Sequence, residues 1–481
     1  MTPSGGDRIG QARHFREPGI KPVKPGQSSG PANPAESQAL SIPAAAHPVH
    51  ATDTVAEDAS ASGRSGPLSG YRVLEMGSTV AGPFCGRLLA DFGAEVIKIE
   101  PAEGDPVRTM GKRFAGKSLY ASSIFRNKSL ICLDLRKAEG QDIVRELAAQ
   151  CDAVIENFRP GTLERWGIGY AQLASNNPKL VMVRISGFGQ TGPYSQRAGY
   201  GVISEAVSGM RHITGDPDRP PARAAVSLTD YITGLYAAFG AVVALLAREK
   251  TGQGQYIDAA LYECAFSFME PWIPAYEKLG YVASRTGSRL PESTPNNLYP
   301  TADGGFIHIT AMGDAVFRRL ATAMERPQLA ADARFATAIA RSENHEAIDE
   351  LIAEWTATLE LADLEKILER HNVPATRIFT MADIFRDPHY QERQAIIAAP
   401  DDDLGSVAMA AVVPRLSATA GRVVHAGHRH GQDTRQVLST LLDYSEARLA
   451  ALQSAGVIVC DAGANDVAHD SAPASTETSR A

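Results

Sequence analysis

The chain has 481 residues, 44% of them hydrophobic and 21% charged, which is typical of a soluble globular protein large enough for two domains. Its net charge of -8 provides no strong basic field, so nucleic acid is not an expected partner. The five cysteines form no C-x-x-C pair and are odd in number, which argues against a disulfide framework and predicts a reducing, cytoplasmic location.

The two ends of the chain differ in composition from its middle. Residues 1–66 are rich in Pro, Gly, Ser and Ala and show no apolar period, so they are predicted to form a disordered tail. They contain no apolar segment of the kind found in secretory signals; a transit peptide is the alternative. Residues 461–481 are predicted to form a second disordered tail.

Strand-like and helical patterns alternate through the first half of the chain. Strands are predicted at residues 71–76, 95–100, 130–135, 152–158 and 179–189. The stretches PFCGRLLADFG and EGQDIVRELAAQC, which lie between strands, have helical patterns. This alternation predicts right-handed βαβ units and a parallel sheet. Ligands of such sheets bind at the carboxyl ends of the strands, where this chain has GSTVAGP, ENFRPGT and SGFGQTGPY.

The pattern changes after about residue 275. Residues 276–394 are predicted to form a smaller α+β domain, with a strand pair around residues 303–305 followed by several helices. Residues 395–460 contain VAMAAVVPRLS and the helical TRQVLSTLLDY, and are predicted to return to the large domain of residues 67–275. The expected fold class is α/β.

Asp230 is the only charged residue between Arg223 and Arg248, and it precedes an apolar run over residues 231–247. It could cap a buried helix, head a transmembrane span, or be a reactive carboxylate held by a rigid element. The run is near the shortest length that crosses a bilayer, about 17 residues, and no second span flanks it. A buried core helix is therefore predicted, and no membrane partner is expected.

Other local motifs are weak. GSTVAG follows a strand but is not the G-x-G-x-x-G of a dinucleotide loop. HAGHRHG, at residues 425–431, holds three histidines, but no carboxylate pattern supports a metal site and a solvated loop is preferred. Neither G-x-S-x-G nor a phosphate-binding G-x-x-x-x-G-K-[ST] loop occurs. No metal and no permanently bound cofactor are expected.

The order of six motifs along the chain is more specific than any one of them. They are LSGYRVLEMGSTVAGPFCGRLLADFGAEVIKIEPAEGDPVR, NKSLICLDLRKAEG, DAVIENFRPGTLERWGIGY, NPKLVMVRISGFGQTGPY, AGYG and SLTDYITGLYAAFGAVVALLAREKTGQGQYIDAALYE. Over about residues 67–455 this series resembles the family III CoA-transferases, the CaiB/BaiF family, which includes formyl-CoA transferase and the acyl-CoA racemases. The resemblance implies a Rossmann-like large domain built from both chain ends, a smaller domain, and an interlocked homodimer.

The resemblance also implies an activity and a nucleophile. The family's aspartate nucleophile matches Asp230 in SLTDYITG. A carboxylate there would attack an acyl-CoA and form a mixed anhydride, and the CoA thiolate would then form an aspartyl-CoA thioester that passes CoA to an acceptor acid. Such an anhydride hydrolyses readily, so water must be excluded. The implied activity is that of a CoA-transferase, with acyl-CoA and small carboxylic acids as substrates.

The family's CoA contacts carry over to several positions of this sequence. The positions that match are Thr79, Val80, Ala81, Arg136, Asn157, Phe158 and Arg165. Thr79, Val80 and Ala81 would contact CoA through their backbone groups. Arg136 and Arg165 would hold the CoA phosphates by charge-assisted bonds. Where some members carry an arginine after KIE, this chain has Pro101, which leaves the number of phosphate contacts open.

One position separates the two reactions of the family. Racemases carry a histidine thirty residues before the aspartate, in A-G-H-D, where this chain has Tyr200 and Gly201 in A-G-Y-G. A phenol, with a pKa near 10, is a poor base at neutral pH. Tyr200 and Gly201 are therefore predicted to line the substrate pocket of a transferase. A racemase or isomerase of the same family is one alternative, and a non-catalytic CoA-binding protein with Asp230 as a helix cap is another.

The stretches after residue 275 bear on the substrate acids. SRTGSRLPESTPNN has nothing comparable to the long Gly-rich loop of formyl-CoA transferase, so formyl or oxalate specificity is not expected. TPNNLYPTADGGFIHITA is more similar to branches that use dicarboxylic acids, such as succinyl-CoA-dependent transferases. Arg211, His212 and Arg223 are candidates to bind a distal carboxylate, with an ordinary surface charge as the alternative for each.

Overall fold

A computed structural model describes residues 65–461 of the chain. The predicted tails lie outside the described residues except for residues 65, 66 and 461, since residues 1–64 and 462–481 are not described. The strands are β1 (Arg72–Glu75), β2 (Glu95–Glu100), β3 (Arg113–Phe114), β4 (Lys117–Ser118), β5 (Lys128–Leu133), β6 (Ala153–Glu156), β7 (Val181–Ser186), β8 (Tyr256–Ala260), β9 (Asn296–Pro300), β10 (Phe306–Thr310), β11 (Ala375–Arg377), β12 (Ile396–Asp401), β13 (Gly405–Ala410) and β14 (Ile458–Val459).

Helices occupy most of the chain between these strands. They are α1 (Ala81–Asp91), α2 (Leu119–Ile124), α3 (Ala138–Ala148), α4 (Thr162–Arg165), α5 (Tyr170–Asn176), α6 (Gly201–Val207), α7 (Leu228–Thr251), α8 (Leu261–Phe266), α9 (Trp272–Leu279), α10 (Asp314–Ala323), α11 (Ala338–Glu343), α12 (His345–Thr356), α13 (Leu361–Arg370), α14 (Met381–Arg386), α15 (Pro388–Glu392), α16 (Thr434–Leu442) and α17 (Glu446–Ser454). Short 3-10 helices lie at Pro106–Thr109, Ser267–Met269 and Pro327–Ala331.

The large sheet has seven strands in the order β14-β5-β2-β1-β6-β7-β8. Its neighbouring strands pair in parallel, except that β14 runs antiparallel to β5. The carboxyl ends of the parallel strands therefore meet at one edge, where their loops are brought together. An α/β fold with a large, mainly parallel sheet, to which the end of the chain adds a strand, is confirmed.

Both faces of this sheet are buried, because alternate residues of each strand enter different cores. On one face Leu74, Ile97 and Val154 pack in a cluster with α3, α5 and α16. On the other face Val73 and Val96 pack in a cluster with α1 and α7. Burial on both faces extends to charged residues of these strands, since Glu75, Lys98 and Glu156 are buried as well.

A second, smaller sheet lies within residues 276–394. It has the order β11-β10-β9, and β9 and β10 form the predicted strand pair. Its apolar core includes Tyr299, Ile307 and Phe317 and is packed by helices of the same region. The predicted domain boundaries at residues 275 and 394 stay predictions.

The segment of residues 395–460 rejoins the large sheet, but through a different strand from the one predicted. Residues 407–417 do not add a strand there; β13 ends at Ala410 and pairs with β12 as a separate antiparallel hairpin. The strand that does join is β14, whose Ile458 pairs with Leu133 at the edge of β5. Two residues are too few to give an alternating pattern, so β14 could not be predicted from the sequence.

Helix α7 is buried on one face only, which corrects the prediction of a buried core helix. Small residues such as Ala237 and Ala241 face α1 and the sheet, and a Cβ on Gly234 would lie 2.8 Å from Ala81 O. The opposite face is exposed in the single chain. Among residues 65–461, α7 is the one helix long and apolar enough to cross a membrane, with 39% of its most apolar window buried, and a single such helix is weak evidence of a span.

Candidate functional site

The loop after β1, here called the β1 turn and comprising residues 77–80, lies at the carboxyl edge of the large sheet. Thr79 has a φ of 68°, in the left-handed region. Gly77 and Gly82 approach so closely that a Cβ on either would lie 3.0 Å from the other's Cα. Val80 and Ala81 are buried, so of these two residues only the backbone can meet a ligand.

The predicted residue Asn157, at the end of β6, is joined directly to the β1 turn. Its side-chain Oδ1 accepts a hydrogen bond from Ser78 N at 2.9 Å, and its Nδ2 donates to Ser78 O at 2.8 Å. The two bonds satisfy both backbone groups of Ser78. Asn157 therefore shapes the turn, which brings two of the predicted contact segments together.

Asp230 lies in the first turn of α7, but it is not the helix cap. The N-cap is Ser227, and Asp230 is the third residue of the helix. This excludes the interpretation of Asp230 as a capping residue. Within residues 65–461 no side chain donates a hydrogen bond to its carboxylate, and the nearest effects on its charge are its own backbone amide and Arg223.

The predicted pocket residue Gly201 lies directly against Asp230. A Cβ on Gly201 would lie 2.0 Å from Asp230 Oδ2 and 2.8 Å from Thr229 Oγ1. Thr229 Oγ1 also donates to Gly201 O at 2.7 Å, which fixes the start of α6 to the start of α7. Tyr200 precedes Gly201 as the N-cap of α6 and is 72% exposed.

Burial raises the pKa of Asp230 from 3.8 to about 6, against the opposing effects of its own backbone amide and of Arg223. A partly desolvated carboxylate is a stronger nucleophile than a fully hydrated one once it is ionised. At neutral pH the group is still mostly ionised, which suits attack on an electrophile.

Two tyrosines beside Asp230 were not singled out by the sequence analysis. The hydroxyls of Tyr120 and Tyr231 lie 2.8 Å apart, and the ring of Tyr231 meets Phe84 of α1 edge-on at 4.8 Å. Burial raises the pKa of Tyr120, and Tyr231 and Asp230 raise it further. Adjacency to Asp230 could have pointed to Tyr231; nothing in the local sequence points to Tyr120.

Arg136, Arg165 and Phe158 are not brought into contact with one another. Arg136 is bonded to Asp134 at 2.8 Å and to Glu103 at 3.2 Å, and Arg165 to Thr162 at 3.0 Å. The loops of β5 and β6 are three strand spacings apart, roughly 14 Å. The two guanidinium groups are thus suited to separate parts of an extended ligand.

Phe158 is half-buried and packs against Trp166. Its ring meets that of Trp166 edge-on at 5.4 Å, at the margin of the core on the α3 face of the sheet. Among the candidates for a distal carboxylate, Arg223 is exposed and its charge lowers the pKa of Asp230, whereas neither Arg211 nor His212 is among the described groups that shift that pKa. Arg223 is therefore the candidate that the structure connects with Asp230.

The histidine-rich segment HAGHRHG forms a bonded loop. His425 and His428 stack at 4.0 Å, and His428 Nδ1 lies 2.8 Å from Asp433 Oδ2. His430 Nε2 lies 2.9 Å from Pro101 O, next to the end of β2. In the part of the chain that the structure describes, no three His, Cys, Asp or Glu side chains are arranged to hold a metal ion.

Comparison with known proteins identifies the family. The model described as CoA-transferase family III matches residues 68–434. A succinyl-CoA–D-citramalate CoA-transferase of Chloroflexus aurantiacus is 50% identical over 394 residues, covering 82% of this chain and 98% of that protein. A succinate–glutarate CoA-transferase of Agrobacterium fabrum is 36% identical, covering 79% and 96%. A crystal structure of a CaiB/BaiF family protein from Brucella suis has a TM-score of 0.71 at 35% identity, covering 79% and 100%.

These matches span the whole of the site described above, from the β1 turn to Asp230. They confirm the resemblance of the six ordered motifs, and the activity named for both relatives is CoA transfer. The chain therefore belongs to CoA-transferase family III and is a CoA-transferase that uses CoA thioesters as substrates.

Proposed function

We propose that this CoA-transferase moves CoA from succinyl-CoA to a dicarboxylic acid through covalent intermediates on Asp230. The observation that carries the covalent route is the position of the Asp230 carboxylate. It lies against the bare Cα of Gly201, without a side-chain donor, at the head of a helix whose small residues pack on α1. An ionised oxygen held this way is free to attack a thioester.

The proposed reaction consists of four exchanges. The Asp230 carboxylate attacks the donor thioester carbonyl and expels the CoA thiolate, leaving a mixed anhydride. The thiolate attacks the aspartyl carbonyl and releases the donor acid, leaving an aspartyl-CoA thioester. The acceptor carboxylate then expels the thiolate to form a second anhydride. Attack of the thiolate on the acceptor carbonyl releases the new acyl-CoA and restores Asp230.

No proton is transferred in any of these exchanges, because each one replaces one anion by another. The route therefore needs no general base beside Asp230. This agrees with the environment of the carboxylate, which has a glycine at 201 and an exposed phenol at 200. A racemase would need a second acid–base group on the opposite face of the substrate. The site supports transfer better than racemisation.

The proposed acids follow from the two relatives and from Arg223. D-Citramalate and glutarate, which those enzymes are named for, are both dicarboxylic acids. A dicarboxylic acid keeps one negative charge when its other carboxyl becomes a thioester, and among residues 65–461 Arg223 is a cation whose charge acts on Asp230. We assign Arg223 to the distal carboxylate of the acyl group.

Incubation of the purified protein with succinyl-CoA and single acids tests this function. We expect mass spectrometry to show a new acyl-CoA with branched or hydroxylated dicarboxylic acids, and little or none with the matching monocarboxylic acids. Arg223→Gln should raise KM for the dicarboxylic acid about tenfold or more, whereas Arg285→Gln, whose guanidinium is occupied by backbone carbonyls, should not. Equal use of mono- and dicarboxylic acids would overturn the assignment.

We also propose that the active form is a homodimer. Leu235, Phe239, Val243 and Leu246 follow one another at helical spacing on the outer face of α7 and are between 47% and 66% exposed. A continuous apolar face of this kind is rarely left in water and marks an interface. We propose that a second copy of the chain covers this face of α7.

The cytoplasmic location stays a prediction. All five cysteines are free, as a reducing compartment allows.

Light scattering during size exclusion tests the dimer. We expect the natural chain to elute with twice the mass of one chain, and Phe239→Arg to elute as a monomer, because the new charge would have to be buried in the interface. Ile339→Arg is the control: Ile339 is an exposed apolar residue on the separate helix α11 and should leave the mass unchanged. A monomeric natural chain at micromolar concentration would exclude the proposal.

A further inference from the structure

A cluster of charged side chains is buried beneath the β1 turn. Lys98 of β2 and Glu75 of β1 are 0% exposed, and Asp105 is 2% exposed. Lys98 Nζ lies 3.0 Å from Asp105 Oδ2 and 3.3 Å from Glu75 Oε1. Taking ions out of water is costly, so a buried ion pair is weak evidence of a stabilising role, and what the pair contacts has to decide its function.

Two members of the cluster bond to the backbone of the β1 turn. Lys98 Nζ donates to Gly77 O at 2.6 Å. Asp105 accepts from Thr79 N, with Oδ1 at 3.1 Å and Oδ2 at 3.2 Å. With Asn157 on Ser78, three successive residues are each held by a side chain, and the left-handed Thr79 is held in place between them.

The pair remains ionised within the fold. Burial alone would lower the pKa of Lys98, but Asp105, Glu75 and Glu100 together raise it. Burial alone would raise the pKa of Asp105, but Lys98 and the amides of Val107 and Thr79 lower it. The two charges therefore stabilise each other, and the contacts to the turn are charge-assisted.

We propose that Lys98 and Asp105 are positioning residues for the acyl-CoA, which fix the backbone of the β1 turn before the ligand binds. The inference rests on the proposed function, since it takes residues 79–81 as CoA contacts. Val80 and Ala81 bury their side chains, so the ligand meets mainly backbone there, and the pair fixes the backbone of Gly77 and Thr79 just before them. A turn that is already ordered loses less entropy on binding.

The test uses the charge-balanced double variant Lys98→Met/Asp105→Asn, which leaves the buried pair of Lys128 and Glu75, 2.6 Å apart, in place. We expect calorimetry with coenzyme A alone to give a Kd at least tenfold higher. KM for the acceptor acid should stay within about twofold. Backbone amides of the β1 turn should exchange with deuterium faster in the absence of any ligand.

A matched control separates positioning from a general loss of stability. Arg126 and Asp91 form another fully buried ion pair, 2.6 Å apart, at the far end of α1. Arg126→Met/Asp91→Asn should lower the melting temperature but leave the coenzyme A Kd and the exchange of the β1 turn unchanged. If the two double variants weaken coenzyme A binding equally, the pair is merely structural and the proposal is overturned.

The other possible outcomes of these experiments also test the positioning role. If Lys98→Met/Asp105→Asn does not fold, Asp105→Asn alone is measured, since asparagine keeps an acceptor for Thr79 N and loses only the charge. An unchanged Kd in a folded variant overturns the positioning role even if the enzyme transfers CoA. If the natural enzyme neither binds coenzyme A nor transfers it, the proposed function fails, while deuterium exchange still reports whether the pair orders the turn.

Discussion

Replacing Asp230 with asparagine should abolish CoA transfer and, at the same time, make the folded chain more stable. An amide carries no negative charge for attack on a thioester, so turnover should fall by about a thousandfold or more. The carboxylate is destabilising where it stands: burial raises its pKa from 3.8 to about 6. That shift of about 2 units corresponds to on the order of 2–3 kcal/mol of unfolding free energy, which asparagine should recover at pH 8.

The gain in stability should depend on pH in a defined direction. Between about pH 4 and pH 6 the unfolded chain has released the Asp230 proton and the folded chain still holds it. The unfolding free energy contributed by this group therefore falls as pH rises through that window. The advantage of Asp230→Asn should be near zero at pH 4, grow up to about pH 6.5, and then stay constant. Urea unfolding at several pH values measures it.

Asp363→Asn is the control for a first-turn carboxylate. Asp363 lies in the first turn of α13, as Asp230 does in α7, but it is exposed and paired with Lys366. Its replacement should cost a few tenths of a kcal/mol at most and leave turnover unchanged. If Asp230→Asn keeps transferase activity, the covalent route is wrong. If it is inactive without being stabilised, the carboxylate is not destabilised by its surroundings.

The parts of the fold that could be predicted from the sequence are those set by local pattern. Strand β2 begins and ends as predicted, because EVIKIE carries the β-branched Val96, Ile97 and Ile99 between a glycine turn and a proline. Helix α1 was likewise indicated by its own apolar spacing. Strand β14 was not predictable, because two residues carry no period and its pairing with β5 is made across more than 300 residues of chain.

The candidate site likewise contains one feature that the local sequence pattern indicates and several contacts that it does not. Asp230 is conspicuous in the sequence because it is a single charge before a long apolar run. Its contact with Gly201 depends on how α6 meets α7, and the bonds of Asn157 and Lys98 to the β1 turn depend on strand order in the sheet. Such contacts join residues far apart in the sequence, and neither composition nor periodicity encodes the distance between them. The alternative of Asp230 as a helix cap is wrong for a smaller reason: helix starts are uncertain by one or two residues in the sequence.

Gly201→Ala should lower kcat by about a hundredfold without unfolding the protein. The backbone of Gly201 is not among the left-handed positions, so alanine fits its conformation. The added methyl, however, would lie 2.0 Å from Asp230 Oδ2, far inside contact distance. Either the carboxylate rotates away from the attacking position or α6 moves away from α7. A displacement of about 1 Å is enough to cost this factor in rate.

A control for the methyl group itself is Gly313→Ala. Gly313 precedes α10 much as Tyr200 and Gly201 open α6, and a Cβ there would meet nothing within 4 Å. It should leave kcat and melting temperature within error. Unchanged turnover in Gly201→Ala would mean that Asp230 reacts from another rotamer than the one in the structure.

The same geometry explains why this chain belongs with the transferring members of its family. An acidic residue at 201, as in the A-G-H-D pattern, would bring a second carboxylate against Asp230 unless the first rotated away. The side chain of Asp230 can occupy its present position only because residue 201 has none. Tyr200 stands where the A-G-H-D pattern has a histidine and is a poor proton carrier at neutral pH, and Gly201 leaves room for the Asp230 carboxylate to act alone. Gly201→Asp should therefore abolish transfer by repulsion between the two carboxylates, and the Tyr200→His/Gly201→Asp pair should not restore it.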